Sequence, residues 1–214
     1  MTSCQINLNV IRKKYVSHKI QEGVIIPHFE DIESALISYI NQSSYIIGCA
    51  AWLTNSNIID SLISKKGVKI IVNKESFLSE KLENGRKQYW INLRKRYDLI
   101  PDIDQDLLNN ITKILEIDPV TNQQGSVLTC GIVSDTCRMH HKFLVFFDEN
   151  KTPYAVWTGS YNFSQNSNRC LENGIFTTDQ FVVQQYLLEF CIVYSRSEHH
   201  NWVSGALKSY DKKQ

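Results

Sequence analysis

The sequence predicts an α/β fold built on a mixed, largely parallel β-sheet with helices on both faces. Three observations lead to this prediction. Between Gly23 and Asn73, apolar strand-like runs alternate with segments whose apolar residues recur at helical spacing. Three further strand-like runs follow residue 126. The 214 residues are 43% hydrophobic and 21% charged, which is typical of a globular domain. We therefore expect a single domain over residues 1–214.

The first part of the chain has the order β-α-β-α-β. The expected elements are a strand at 23–26, a helix over 29–42, a strand over 44–53, a helix over 55–67 and a strand at 68–73. Glycine commonly follows the last turn of a helix, so Gly67 is expected to end the second helix. This order is typical of a sheet that helices cover.

The rest of the chain is less regular. Residues 75–98 indicate a helix interrupted near Asn84-Gly85, and an irregular insertion with a short helical pattern is expected around 98–126. Strands are expected over 127–134, 139–147 and 153–160. A last helix is expected to open with a capping box from Thr177 to Gln180.

Composition excludes several classes of protein. The formal net charge is +1, so a basic binding surface would require segregated charge. The six cysteines have no C-x2-C spacing and fit a reduced, cytosolic core. The first residues contain no long apolar stretch typical of a signal peptide, and the most apolar run, Tyr45–Leu53, is too short to cross a bilayer. We expect a soluble, cytoplasmic protein without integral membrane association.

The run "RMHHKFLVFFDENKTPYAVWTGSYNFS", from Arg138 to Ser164, carries the chemistry. On an extended strand His140 and Lys142 share one face, and His141 points to the other. An imidazole beside an ammonium offers a nucleophile within an anion site. The turn-rich "DENKTP" predicts a hairpin, which would return Ser160 and Asn162 to the neighbourhood of His140.

Glu172 follows the hairpin and precedes another strand-like run. A carboxylate there is suited to hold a histidine ring in one tautomer. Taken singly, Ser160 and Asn162 also fit turn caps, and Glu172 fits a solvated charge. Their joint occurrence after the histidine–lysine pair favours a catalytic site.

These residues resemble the phospholipase D superfamily, marked by H-x-K-x4-D and a later G-S-x-N-F strand. "HHK", "TGSYNFS" and "EN" carry the resemblance, which is closest to the branch with one motif per chain. That branch includes bacterial non-specific endonucleases. "AAWLTNSNIIDSLISKKGVKIIV" is similar to the first α/β half of the family, so a phospholipase D-like fold is implied over most of the chain.

The resemblance implies hydrolysis of a phosphodiester through a phosphohistidine. His140 would be the nucleophile, and a second histidine would protonate the leaving oxygen. Lys142 and Asn162 would bind the phosphoryl oxygens, and Ser160 would bond to the phosphate or a neighbour. No metal or other cofactor is expected. Since the chain holds one H-x-K, we expect a homodimer in which a second His140 completes a composite site.

One spacing departs from the family pattern, because five residues, not four, separate Lys142 from Asp148. Along an extended strand Asp148 would lie about 26 Å from His140, too far to orient it. We therefore expect Asp148 to be a structural turn residue, Glu172 or another carboxylate to orient His140, and the extra residue to form a β-bulge.

A nucleic acid, DNA or RNA, is the expected substrate. Residues 81–97 carry six basic side chains against one acid, with aromatic residues between them. The expected substrate contacts are Arg86, Lys87, Tyr89, Trp90, Arg94, Lys95 and Arg96. A solvated helix face with core aromatics explains the same pattern. A phospholipid substrate and a catalytically silent module that binds nucleic acid or a partner are the alternatives.

Overall fold

A computed structural model describes residues 25–75, 78, 87–113, 124–131 and 138–200. The elements, in order, are β1 (Ile25–His28), α1 (Ile32–Gln42), β2 (Tyr45–Ala50), α2 (Ser56–Ile63), β3 (Gly67–Asn73), α3 (Lys87–Tyr97), α4 (Gln105–Thr112), β4 (Val127–Cys130), β5 (Lys142–Phe147), β6 (Pro153–Gly159), a 3-10 helix (Gln165–Arg169), β7 (Gly174–Thr177), α5 (Gln180–Tyr194) and β8 (Glu198–His199).

The strands form one sheet in the order β1-β7-β6-β5-β2-β3-β4-β8. The prediction of a mixed α/β fold is confirmed, but most of its strand pairs are antiparallel. Only β2 with β3 and β3 with β4 run parallel among the described strands. The reason is that β5 returns as β6 through a turn too short for the crossover that parallel neighbours require.

Helices cover both faces of the sheet, as predicted. On one face α1 and α2 bury residues such as Leu36, Ile40 and Leu62 against the apolar side of the strands. On the other face α4 and α5 do the same with residues such as Leu107 and Leu187. Each fully buried leucine or isoleucine contributes about 1.5–3 kcal/mol to folding, so these two layers hold the sheet rigid.

Two predicted helix boundaries are wrong. Helix α2 ends at Ile63, and Gly67 instead begins β3, where an added Cβ would lie 3.0 Å from the Cα of Ile103. Glycine is present for close backbone approach. Thr177 ends β7, and the capping residue of α5 is Asp179, whose carboxylate accepts from the Val182 amide at 3.0 Å.

Part of the expected insertion packs into the fold. Asp102 forms a parallel bridge with Val68, and its carboxylate lies 2.6 Å from the buried ammonium of Lys69. The expected interruption at Asn84-Gly85, residues 114–123 and the start of the first strand lie outside the described residues. None of the helices in the described ranges has the length and apolar character needed to cross a bilayer.

Candidate active site

His140 and Lys142 lie where central strand β5 begins. The strand itself starts at Lys142, so His140 precedes it, although the sequence predicted a strand from residue 139. The Lys142 ammonium is 3.1 Å from Nδ1 of His140, 3.4 Å from Nε2, and donates to the His140 carbonyl at 2.8 Å. An ammonium only donates, so this contact requires an unprotonated ring nitrogen.

The surroundings favour neutral His140. Partial burial lowers its pKa below 6.5, and the positive charges of Lys142, Arg138 and His141 lower it further. Burial also lowers the pKa of Lys142, while the Glu172 carboxylate opposes that effect. The pair therefore presents a neutral imidazole beside a buried cation near neutral pH.

His141 points away from this pair. Its Nε2 lies 2.8 Å from a carboxylate oxygen of Glu189 on α5, and its ring meets Phe143 edge to face. The opposite orientation of His140 and His141 follows from the alternation of side chains along an extended chain. The backbone carbonyl of His141 accepts from the Ala51 amide at 2.8 Å, which extends the pairing of β5 with β2 by one bond.

Strand β6 returns Ser160 towards Lys142. Phe143 pairs with Thr158, so Lys142 lies beside Gly159, and Ser160 follows it. The Ser160 hydroxyl donates to Glu172 and accepts from the Asn173 amide at 3.0 Å. Two residues further on, the amide oxygen of Asn162 is buried without a hydrogen-bond partner among the described residues.

Glu172 binds Ser160, and no hydrogen bond within the described residues joins it to His140. The pairing of Gly159 with Gly174 brings Glu172 directly to the strand end that carries Ser160. Its negative charge still acts on Lys142. Glu172 was expected to orient His140, but in the structure its carboxylate instead fixes the Ser160 hydroxyl.

Asp148 lies in the β5–β6 turn. Its carboxylate accepts from the amides of Asn150 at 2.9 Å and Thr152 at 2.8 Å. The β5–β6 register shifts between Phe146 and Phe147, and the unmatched residue is Tyr154 on the returning strand. A bulge therefore accompanies the unusual spacing, but the extra residue belongs to β6 and not to β5.

The basic helix α3 is partly engaged with its own chain. Arg96 binds the Asp60 carboxylate and the Ser56 carbonyl, and Arg94 donates to the Leu78 carbonyl at 3.2 Å. Trp90 packs against the core, and the more exposed Tyr89 meets it edge to face at 4.6 Å. Lys95 is exposed. Arg86 and the side chain of Lys87 lie outside the described residues.

Three residues near the pair escaped sequence reasoning. Asn173 clamps Ser160, and its presence beside Glu172 in "EN" was the available signal. Trp52 lies within the apolar run Tyr45–Leu53 and was not singled out, but its ring lies edge-on to His140 with centroids 5.9 Å apart. Arg138 is exposed and adds positive charge.

Comparisons with known proteins identify the family to which the chain is similar. A family model described as "Cardiolipin synthase, PLD-like domain" matches residues 36–192. The chain is 46% identical over 213 residues to an uncharacterized protein of Acanthamoeba polyphaga mimivirus, covering 94% of this chain and 76% of that protein.

A solved structure shows the same fold, and a second is similar over much of the chain. NucT from Helicobacter pylori aligns with a TM-score of 0.55 at 16% identity, over 82% of this chain and 98% of that one. Nuc from Salmonella typhimurium, described as a phospholipase D family member, aligns with a TM-score of 0.49 at 14% identity, over 81% of this chain and 95% of that one.

Proposed function

The chain belongs to the phospholipase D superfamily, a superfamily of phosphodiesterases, and on this premise we propose that it is a nuclease that hydrolyses nucleic-acid phosphodiester bonds. The observation that carries the proposal is the contact between the Lys142 ammonium and the ring nitrogens of an exposed, neutral His140. That contact combines a nucleophile and an anion-binding cation at one solvent-accessible point.

The reaction proceeds by two displacements. A ring nitrogen of neutral His140 attacks phosphorus, the bond from phosphorus to the leaving oxygen breaks, and a protonated second histidine gives that oxygen its proton. Water then attacks the phosphohistidine. The second histidine takes the proton from water, the nitrogen–phosphorus bond breaks, and His140 returns to its neutral form.

The remaining polar residues stabilise the charge that develops on phosphorus. Lys142 and the side-chain amide of Asn162 bind the phosphoryl oxygens. Glu172 and Asn173 both bond to the Ser160 hydroxyl, so this side chain is already fixed in one rotamer before substrate binds. All these side chains come from the paired ends of β5 and β6 and the segment that follows.

The second histidine comes from another copy of the chain. His28 on β1 lies three strand spacings from β5, about 14 Å, and His199 on β8 lies four spacings away, about 19 Å. His200 follows β8 and is buried against the Val127 carbonyl and Asp98. His141 faces Glu189. Among the described residues, therefore, no second imidazole of the same chain reaches the substrate. A homodimer with a two-fold axis through the site supplies a second His140.

The charge around the site supports a polyanionic substrate. Arg138 and Lys142 both lower the pKa of His140, which places positive charge at the nucleophile. On α3, exposed Lys95 and Tyr89 remain available for phosphate and base contacts. The internal partners of Arg94 and Arg96 restrict their contribution to positioning that helix.

The test compares bis-p-nitrophenyl phosphate, plasmid DNA, RNA and phosphatidylcholine vesicles as substrates, with His140→Ala as the control. We expect turnover of the ester and of nucleic acid, unchanged by EDTA, because the histidine and lysine do the work of a metal ion. Cleavage of vesicle lipid alone would contradict the nuclease assignment. Loss of activity with EDTA that magnesium restores would contradict the histidine mechanism.

A further inference from the structure

The segment that holds His140 depends on contacts outside strand β5. Strand β5 begins at Lys142, and the segment before it is held by the bond from the Ala51 amide to the His141 carbonyl and by an antiparallel bridge between Arg138 and Gly131. One residue before His140, the Met139 amide donates to the buried side-chain oxygen of Asn73, at 3.1 Å. Asn73 is the last residue of β3, which lies beyond β2 from β5, and its side chain holds the backbone immediately before the proposed nucleophile.

A second contact restrains the imidazole itself. The Trp52 ring stands perpendicular to the His140 ring, with an interplanar angle of 90° and centroids 5.9 Å apart. An edge-to-face contact at this distance is favourable and limits rotation of the smaller ring. Trp52 is only half-buried, so packing alone does not fix its position.

Both contacts meet at one atom of Glu75. Its Oε1 accepts from the side-chain amide of Asn73 at 2.7 Å and from the indole nitrogen of Trp52 at 3.2 Å. The same oxygen therefore orients the group that binds the Met139 amide and the ring that packs on His140. In the described part of the chain, Glu75 forms no ion pair.

We propose that Glu75 is a positioning residue that holds His140 for attack, acting through Asn73 on the backbone and through Trp52 on the ring. The inference rests on the proposed hydrolysis at His140 and adds a residue to that site. Its chemistry needs an oxygen acceptor at Oε1 and not a negative charge, because both partners are neutral N–H donors.

This requirement makes glutamine and alanine diagnostic. In E75Q the amide oxygen can replace Oε1 and keep both bonds, whereas E75A loses both. We expect E75A to lower kcat on bis-p-nitrophenyl phosphate about 10–100-fold, the usual cost of losing an outer partner, with little change in KM. E75Q should retain most of the wild-type kcat. Glu149→Ala, which removes an exposed carboxylate, is the matched control and should equal the wild type.

A double-mutant cycle tests the route through Trp52. W52F keeps an aromatic ring but removes the indole donor, so E75A should cost less in the W52F background than in the wild type. Equal losses of kcat in E75A and E75Q would overturn the proposal, since the charge would then matter and not the acceptor. Fully additive effects of E75A and W52F would also overturn it.

An NMR titration gives a readout without turnover. Partial burial lowers the pKa of His140, and the Trp52 ring packs against it. If Trp52 shifts in E75A, the titration of His140 should move up towards 6.5, whereas E75Q should leave it in place. An unchanged titration in E75A overturns the positioning role. A wild-type protein that cleaves no phosphodiester would reject the proposed function, while this titration would still decide whether Glu75 holds the ring.

Discussion

At the scale of single residues, the contact between Lys142 and His140 favours the neutral form of the His140 ring. A cation 3.1 Å from a ring nitrogen disfavours a second positive charge on that ring, and partial burial acts in the same direction. Both effects lower the pKa of His140. The imidazole is therefore neutral, and nucleophilic, at a pH where a free histidine would be partly protonated.

This shift predicts a pH profile. With the pKa of His140 below 6.5, the acid limb of kcat/KM for nucleophilic attack should lie below pH 6.5, since activity is lost as protonation occurs. Lys142→Met removes the neighbouring charge, so its acid limb should move to higher pH while kcat falls. A pH series on bis-p-nitrophenyl phosphate measures both. An acid limb of Lys142→Met at or below that of the wild type would contradict the assignment.

The two adjacent histidines should respond differently to substitution. His140→Ala removes the nucleophile and should lower kcat/KM at least about 10³-fold, with the fold retained because the side chain is exposed. His141→Ala removes a ring that faces Glu189 and should keep measurable activity. Kinetics with circular dichroism as the folding check compares them. Equal losses of kcat/KM in the two variants would show that the two rings do not point to opposite sides of the chain.

At the scale of elements, the loop after Asn162 is tied to the helices by one carboxylate. Glu33, in the first turn of α1, accepts from the side-chain amides of Asn55 at 2.9 Å and Asn57 at 2.6 Å, and also from Asn168. Tyr161 donates to the same Asn168. These bonds join α1, the start of α2 and the 3-10 helix beside a cleft of about 520 Å³.

Glu33→Ala should therefore destabilise the fold. It leaves the amide of Asn55, a fully buried side chain, without its acceptor, which costs about 1–3 kcal/mol. Burial raises the pKa of Glu33, but the three amide donors outweigh it and the net pKa is lowered. The loss should be full at pH 7 and shrink as pH falls through the carboxyl range.

Urea unfolding at pH 7 and pH 4 measures this effect. Glu149→Ala, which removes a carboxylate that is 78% exposed, should change the free energy of unfolding by less than about 0.5 kcal/mol. If Glu33→Ala matched that control, the carboxylate would not be tying these elements together.

Sequence periodicity predicted these elements well where apolar residues dominate. Buried β3 begins one residue before its expected start, and amphipathic α1 begins three residues after its expected start, while both end where expected. The two wrong helix boundaries depend on tertiary structure. Gly67 lies in β3 close to the backbone of Ile103, and Thr177 is the last residue of β7. Within the candidate site, Lys142 and Ser160 follow from strand alternation and hairpin geometry. Trp52 does not, since it reaches His140 from a segment distant in the sequence, and neither does Glu75, which contacts Trp52.

At the scale of the whole molecule, the position of β5 near the middle of the sheet separates His140 from His28 on β1 and His199 on β8, while adjacent His141 faces Glu189. General acid catalysis by a second imidazole contributes about 10²–10⁴-fold in rate. A lone chain would forgo that contribution. The proposed dimer would recover it with no additional residue, because its two-fold axis would relate two identical His140 side chains.

Mixed dimers test this arrangement. Light scattering of the wild type should give about twice the 24.8 kDa of one chain. Heterodimers of wild-type and His140→Ala chains, isolated with two affinity tags, should have less than about a tenth of the wild-type rate, since every shared site lacks one imidazole. Half the wild-type rate, or a fully active monomer, would show that each chain carries a complete site.

The pairing of β5 with β6 on one side and β2 on the other sets an order of folding. Phe143 and Thr158 are 15 positions apart along the chain, whereas Ala50 and Lys142 are 92 apart. Closing the longer loop costs about 1.6 kcal/mol more in chain entropy. We therefore expect the hairpin that carries Lys142 and Ser160 to form early as a local unit and to dock against β2 later. Because that later step also brings Trp52 to His140, the candidate site should be completed last.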